Sequence, residues 1–116
     1  MEKFKEWTDP AADLPEDAVD RDQLLTNVAT YWFTGTGATA AHFLYDAMHS
    51  GDWVAPSLGK QGWAVFGGAG SVIRRMMDPE DKIGHWTEFD RGGHFAAMET
   101  PDLLIADVRA YFRRFR

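Results

Sequence analysis

A histidine that follows two glycines near the end of the chain is the residue best suited to do chemistry. Residues 85–99 read His-Trp-Thr-Glu-Phe-Asp-Arg-Gly-Gly-His-Phe-Ala-Ala-Met-Glu. Because glycine tolerates sharp turns, Gly92 and Gly93 allow the imidazole of His94 to project into a cleft. Imidazole changes its charge near neutral pH, so His94 could act as a general base. The alternative is a histidine whose ring is only hydrogen-bonded within the turn.

The other patterns with chemical meaning are weaker. Residues 35–40 read Gly-Thr-Gly-Ala-Thr-Ala and match the dinucleotide fingerprint G-x-G-x-x-A, but no strand that ends in an acidic residue follows. Residues 67–71 could bind an anion at a helix N-terminus, although they lack the Gly-Lys-Ser/Thr of a phosphate-binding loop. No two of the four histidines are spaced as i and i+4, so a metal site is not expected. We therefore expect neither a metal nor another cofactor.

Hydrophobic spacing predicts the elements that must position His94. Apolar residues recur every three or four residues in the predicted helices, and a short apolar run between glycines predicts the first of two strands. The predicted helices cover 21–33, 38–48, 72–77 with Ser71 as N-cap, and a last helix from Thr100 as N-cap through Phe112; the predicted strands cover 63–66 and 83–89. The order is helix, helix, strand, helix, strand, helix.

This order of elements predicts the fold class. A strand that is joined to the next strand through a helix is the crossover unit of a parallel sheet, so the class is α/β. Two strands are too few for a stable sheet in isolation. The sequence therefore predicts one end of a larger α/β fold, or a chain that completes its sheet with another chain. Residues 1–22, rich in acidic residues and containing Pro10 and Pro15, are predicted to form an extended acidic arm, which is either a linker or a segment wrapped on something else.

The composition excludes several classes of protein. The chain has 116 residues, of which 45% are hydrophobic and 14% aromatic, too much apolar mass for a disordered segment. A formal net charge of -6 argues against nucleic acid as a partner, because phosphate binding needs clustered Lys and Arg. No apolar run approaches the roughly 20 residues that span a bilayer, and residues 1–7 lack the apolar core of a signal peptide, so none is expected. The absence of cysteine excludes a disulfide scaffold, and we expect a cytoplasmic location.

Two motif blocks together resemble one protein family. Trp-Thr-Glu at 86–88 and Arg-Gly-Gly-His-Phe-Ala-Ala-Met-Glu at 91–99 form the downstream block, and Leu-Leu-Thr-Asn at 24–27 with Tyr-Trp-Phe-Thr-Gly-Thr-Gly at 31–37 form the upstream block. Over about residues 7–112 the chain resembles the C-terminal part of microsomal-type epoxide hydrolases and their bacterial relatives, in the α/β-hydrolase superfamily. The resemblance implies that 23–50 is the end of a helical cap and that 51–116 holds the C-terminal strands and helices of the hydrolase core.

The resemblance also implies a mechanism. In this family an aspartate attacks an epoxide carbon to form an alkyl-enzyme ester, and a histidine paired with an acidic residue activates the water that hydrolyses the ester. Tyrosines of the cap donate hydrogen bonds to the epoxide oxygen. His94 matches the water-activating histidine, and Tyr45 is the candidate cap tyrosine.

Three departures from the family pattern limit the activity that can be expected. The nucleophilic aspartate and the oxyanion hole belong to the first half of the hydrolase core, and no Gly-x-Asp-x-Gly or Gly-x-Ser-x-Gly elbow occurs in the chain. Ala69, or the adjacent Gly70, stands where the acidic partner of the histidine is expected. Leu44 stands where the cap tyrosine is expected, and one residue along a helix turns the side chain of Tyr45 by about 100°.

These observations predict an epoxide hydrolase-like chain that is inactive alone. Its expected ligand is a small apolar epoxide, bound once another chain completes the site. The alternative is a non-catalytic module that forms a homo-oligomer or binds a partner through its exposed core face, and the loss of the acid at Ala69 favours it. A truncated gene remnant that folds poorly is the third possibility. No nucleic acid or membrane partner is expected.

Overall fold

The computed structural model describes residues 2–50, 60–68 and 70–116. Contacts between residues divide the chain into two compact units, residues 1–20 with 59–116 and residues 21–58. The first unit holds both predicted strands and the His94 turn, and the second holds the first two predicted helices. The N-terminal residues therefore fold with the C-terminal half of the chain rather than with the helices that follow them.

The predicted helices and strands are all present in the described part of the chain, together with three short helices that were not predicted. In chain order they are α1 (Glu2–Trp7), α2 (Pro15–Ala18), α3 (Arg21–Thr34), α4 (Gly37–His49), β1 (Gly62–Val65), α5 (Gly70–Met77), β2 (His85–Glu88), α6 (Ala96–Glu99) and α7 (Pro101–Arg113). The additions are α1, α2 and α6. Helix α5 begins before Ser71, the predicted N-cap. In the described part of the chain, no helix is both long enough and apolar enough to cross a membrane.

The two strands form a parallel sheet, with Trp63 opposite Trp86. Their indole rings stack with centroids 5.6 Å apart. Beyond the last paired residues, the rings of Phe66 and Phe89 stack with centroids 4.8 Å apart. Such aromatic pairs across neighbouring strands add to the stability of a sheet. Because α5 lies between the strands in sequence, this is a parallel strand-helix-strand unit, and the predicted α/β class is confirmed at this level.

Helix α7 packs on the sheet through its C-terminal half. The hydroxyl of Tyr111 donates to the carbonyl of Lys60 at 2.8 Å. The same ring lies so close to Gly62 that a Cβ there would be 2.7 Å from it, so the start of β1 needs a glycine. Thr100 precedes α7 as predicted, but its side chain does not cap the helix. Its hydroxyl donates to the carbonyl of Ala96 instead, at 3.4 Å.

The N-terminal segment differs from the predicted extended arm. It folds into the two short helices α1 and α2, and Pro15 begins α2, where its fixed φ suits the first helical position. Phe4 and Val19 are buried, with 7% and 1% of their surface exposed. The ring of Phe4 stacks on Phe95 with centroids 4.4 Å apart. The segment is thus wrapped on the first unit, one of the two predicted alternatives, but its acidic composition gives no sign of which residues are buried.

The second unit, within the described residues, consists of α3 and α4. Gly35 between them has a φ of 65°, a left-handed conformation that favours glycine. Several large apolar side chains of these helices are exposed, including Trp32 at 80%, Phe33 at 85% and Phe43 at 73%.

Candidate functional site

The turn that carries His94 lies beyond the carboxyl ends of both strands. Phe66 and Gly67 follow β1 directly, and the turn follows β2. Together they line an open cleft of about 660 Å³, whose other walls include the side chains of Trp7, Trp63 and Ile73. The carboxyl edge of parallel strands is where α/β folds place their ligands. Gly93 and His94 of the turn are among the residues that line this cleft.

Two aromatic rings contact the imidazole of His94. The ring of Trp7 lies 4.8 Å from it, centroid to centroid, at an interplanar angle of 56°. The ring of Phe95 lies 5.1 Å away and meets it edge to face. The histidine is nevertheless exposed, so its ring is accessible from the cleft. An imidazole that is packed on one side and accessible on the other can exchange a proton with a bound water.

The backbone of the turn is held by the N-terminal segment. The N–H of His94 donates to the carbonyl of Trp7 at 2.7 Å. Gly93 has no room for a side chain, because a Cβ there would lie 2.6 Å from the carbonyl oxygen of Trp7 and from the carbonyl carbon of Thr8. Gly92 has a φ of 88°, which other residues rarely adopt. The two glycines therefore serve the close approach of residues 7–9 as well as the predicted sharp turn.

Two carboxylates connect the same segments, and neither is among the residues predicted from the sequence. The carboxylate of Asp9 accepts the N–H of Gly92 at 2.7 Å and that of Ala11 at 2.9 Å. The carboxylate of Glu99 accepts the N–H of Asp9 at 2.7 Å and that of Phe95 at 2.9 Å. Asp9 and Glu99 are far apart in sequence, so no local spacing could reveal their partnership.

Hydrogen bonds also change the acidity of two carboxyl groups near the turn. The N–H groups of Ala11 and Gly92 lower the pKa of Asp9 below its ordinary value, against a smaller opposing effect of burial. The guanidinium of Arg91 lowers the pKa of Asp102 through a hydrogen bond of 2.5 Å. Both carboxylates are therefore ionised at neutral pH, and both bind the first residues of the turn, Arg91 and Gly92.

Known proteins that resemble the chain share one activity in their names. A protein of Stigmatella aurantiaca called "Putative epoxide hydrolase" is 36% identical to it, over 99% of this chain and 26% of the relative. Epoxide hydrolase 1 of Sus scrofa is 30% identical over 96% of this chain, and that of Oryctolagus cuniculus is 28% identical over 93%. Over nearly its whole length the chain is similar to proteins named epoxide hydrolase. It spans about a quarter of the length of these relatives. No family model matches the chain.

The acidic partner that an epoxide hydrolase histidine needs is not found beside His94. None of the ion pairs within residues 2–50, 60–68 and 70–116 joins a carboxylate to its ring. Ala69, the first predicted replacement of the acid, lies outside the described residues. At Gly70, the second, the carboxylate of Glu88 fills the space that a side chain would need. Glu88 itself accepts the indole N–H of Trp86 at 2.9 Å.

Tyr45, the candidate cap tyrosine of an epoxide hydrolase, lies in α4 of the second unit. Its ring stacks on His49 with centroids 4.0 Å apart, and Nδ1 of His49 is hydrogen-bonded to the carbonyl of Tyr45 at 2.7 Å. Its side chain is 62% exposed. Its role, like that of His94, stays a prediction.

A second histidine, His85, is paired with a carboxylate, and sequence reasoning missed the pair. Nε2 of His85 lies 3.0 Å from Oδ1 of Asp107, and the hydroxyl of Thr87 donates to the same oxygen at 2.6 Å. The hydroxyl is bonded to the carboxylate and not to the imidazole, so this is no nucleophile-base pair. His85 and Thr87 share one face of β2, and that alternation is the signal that could have found them. Within the described ranges, no group of three or more His, Asp or Glu could hold a metal.

Proposed function

We propose that the chain supplies the histidine side of an epoxide hydrolase active site and that His94 is the base that activates water. The observation that carries the proposal is the exposed imidazole of His94 in a cleft beyond the carboxyl ends of two parallel strands. The family relationship supports it, because His94 lies in the Arg-Gly-Gly-His motif that suggested the family. In finer terms, the proposed fold is the C-terminal portion of an α/β-hydrolase.

The proposed chemistry is hydrolysis of an ester formed on an aspartate. His94 accepts a proton from water, and the resulting hydroxide attacks the carbonyl carbon of the ester. The bond between that carbon and the alkyl oxygen breaks, the alkoxide takes up a proton and leaves as the diol, and the aspartate is regenerated. The step before it, opening of the epoxide by the aspartate, needs a residue outside this chain.

The site is therefore proposed to be complete only with a further polypeptide. Within the described residues the sheet has two strands, and a two-stranded parallel sheet is marginal alone. Large apolar side chains on the helices of the first unit are also exposed, among them Val72 and Met76 of α5 and Ile105 of α7. A partner that adds strands to the sheet and covers these side chains would bury both features, and it would bring the nucleophile.

The cleft walls favour an apolar epoxide. Trp7, Trp63, Phe66 and Ile73 present apolar surface to the cleft, and Glu6 is the charged residue that lines it. Apolar surface at these four positions suits a small hydrophobic ligand. We therefore propose a small apolar epoxide, of the styrene oxide type, as the substrate of the completed site.

The first experiment tests the purified chain with styrene oxide. We expect no diol above the uncatalysed rate, because no group in the chain is proposed to open the epoxide. Diol formation by the chain alone that is lost in His94→Ala would contradict the proposed incompleteness.

The second experiment supplies the missing part. In a chimera, this chain replaces the matching quarter of the Stigmatella aurantiaca protein, and diol formation is measured with and without Ala69→Glu. We expect Ala69→Glu to raise turnover by about 10³–10⁴-fold, since an orienting carboxylate has an effect of that size in serine proteases. His94→Ala should abolish the gain, and His42→Ala, at an exposed histidine of α4, should keep it. A folded chimera whose turnover is the same with His94→Ala would disprove the assignment of His94.

A second candidate function is a non-catalytic module that forms a homo-oligomer. The exposure of Trp32 at 80% and Phe33 at 85% on α3 favours it, since large aromatic residues rarely remain in contact with water in a monomer. Size-exclusion chromatography with light scattering would give a stable oligomer for the chain, and Trp32→Ser with Phe33→Ser would return it to a monomer. A compact monomer at high concentration would reject this candidate.

A further inference from the structure

Within the described residues no ion pair joins a carboxylate to the ring of His94, and the contacts that the ring does make are with aromatic side chains. Among the described side chains, the indole of Trp7 is the aromatic ring closest to the imidazole of His94, with 4.8 Å between the ring centroids. The carbonyl of Trp7 also accepts the backbone N–H of His94 at 2.7 Å. One residue therefore contacts both the backbone and the ring of His94.

The position of Trp7 is in turn fixed by the next two residues. The hydroxyl of Thr8, which is buried, donates to the carbonyl of Phe4 at 2.6 Å and closes the end of α1. The N–H of Asp9 donates to Glu99, and the carboxylate of Asp9 accepts the N–H of Gly92. Residues 7–9 are thus hydrogen-bonded both to Gly92 within the turn and to Glu99 after it.

Glu99 is the residue that joins the two segments. Its Oε2 accepts from Asp9 and its Oε1 accepts from Phe95, the residue after the histidine. Both of its carboxylate oxygens are therefore used, and each binds a backbone N–H on a different segment. The backbone N–H groups of Gly92, His94 and Phe95 are thus each bonded to an acceptor. The acceptors are, in that order, the carboxylate of Asp9, the carbonyl of Trp7 and the carboxylate of Glu99.

We infer that the segment Trp7–Asp9, locked in place by Glu99, positions the imidazole of His94. This inference rests on the proposed function of His94, which gives the position its purpose. Trp7, Asp9 and Glu99 are positioning residues, since they act through His94. Small displacements of a general base cost much rate, so a firm hold on the turn matters for the reaction.

The test measures the hold on His94 in the chain alone. Proton NMR reports the ring-current shift of the His94 ring protons next to the indole, and hydrogen exchange reports the N–H groups of Gly92, His94 and Phe95. Glu99→Gln replaces one acceptor oxygen with an NH₂ donor that cannot accept. We expect exchange at these three N–H groups to accelerate at least about 10-fold and the ring protons to lose their shift. The amides of β1 and β2 should keep their protection.

Glu80→Gln is the matched control, because the side chain of Glu80 is 68% exposed and lies away from the turn in sequence. It should leave the ring protons and all three N–H groups unchanged. Unchanged ring protons and unchanged exchange in a folded Glu99→Gln variant would overturn the inference.

A pair of substitutions at Trp7 keeps the test decisive if Glu99→Gln does not fold. Trp7→Phe keeps an aromatic face against His94 and should retain part of the ring-current shift, whereas Trp7→Leu should remove it and broaden the ring signals. Equal spectra for the two variants would overturn the inference. The NMR shifts and the hydrogen exchange are both measured without substrate. An inactive chimera would therefore count against the proposed function but not against the positioning of His94.

The active chimera provides the kinetic readout. There Glu99→Gln should lower kcat by about 10–100-fold with little change in KM, because it loosens the base and does not line the cleft. Equal kcat in a chimera whose His94 signals have moved would show that the contact is structural only.

Discussion

Nε2 of His85 lies 3.0 Å from Oδ1 of Asp107, and this pair connects β2 to α7. Both side chains are largely buried, with 15% and 10% of their surface exposed. Thr87 donates to the same oxygen, so one carboxylate satisfies two donors on one face of the strand. Neither His85 nor Asp107 lines the cleft of His94.

Asp107→Ala should therefore destabilise the chain by about 1–3 kcal/mol, because His85 and Thr87 would each lose a buried acceptor. The midpoint of urea unfolding, followed by tryptophan fluorescence, measures the change. Glu80→Ala, at an exposed carboxylate, should leave the midpoint where it is. An Asp107→Ala variant as stable as the parent chain would show that water replaces the carboxylate at no cost.

Gly93→Ala should weaken the docking of residues 7–9 on the His94 turn. The added methyl would lie 2.6 Å from backbone atoms of Trp7 and Thr8, and backbone cannot move aside as a flexible side chain does. Overpacking of this kind costs about 1–3 kcal/mol. Gly84→Ala is the matched control, since a Cβ there meets nothing within 4 Å. Equal unfolding midpoints for the two variants would contradict the prediction.

The elements that the sequence predicts well are those with a local signal. Trp63 to Phe66 is an apolar run between glycines, and a strand forms there at Gly62–Val65. Thr100 followed by Pro101 marks the start of a helix, and α7 starts at Pro101. The motif with His94 could likewise be placed on a turn after the last strand.

The contacts that complete the site have no such local signal. Asp9 and Glu99 meet only after the chain has folded, and each looks like a solvated acidic residue in the sequence. Helix α1 is six residues long, too short to be stable without tertiary contacts such as that of Phe4 with Phe95. The short helices α1 and α2 were therefore not predictable from local sequence, because contacts with distant residues stabilise them.

The stability that Asp9 contributes should depend on pH. Its pKa is lowered in the folded chain by the N–H groups of Ala11 and Gly92, and its ordinary value is 3.8. A lowered pKa stabilises the fold fully above the unfolded value, and this stabilisation is lost as the pH falls through the lower folded pKa. The advantage of the parent chain over Asp9→Asn should therefore be constant near neutral pH and shrink below about pH 4.

Urea unfolding of both chains at several pH values down to about 3 measures this difference. The charged groups that line the same pocket as Asp9 are Asp17, Arg91 and Glu99, so the comparison is made between variants and not between pH values alone. Asp13→Asn, at an exposed aspartate of the same segment, is the control. A difference between the parent chain and Asp9→Asn that stays constant down to the lowest pH would contradict the prediction.

Whether α4 carries a catalytic hydroxyl depends on which residue, Tyr45 or Leu44, occupies the position of the cap tyrosine. Tyr45 is exposed and stacks on His49 of its own helix, and Leu44 stands where the family tyrosine is expected. In the chimera that carries Ala69→Glu, Tyr45→Phe should therefore leave kcat within about twofold, and Leu44→Tyr should raise it by about 10²-fold, the effect of one hydrogen bond to a developing oxyanion. Leu44→Phe controls for the size of the ring. A large loss of kcat with Tyr45→Phe would instead assign the epoxide-binding hydroxyl to Tyr45.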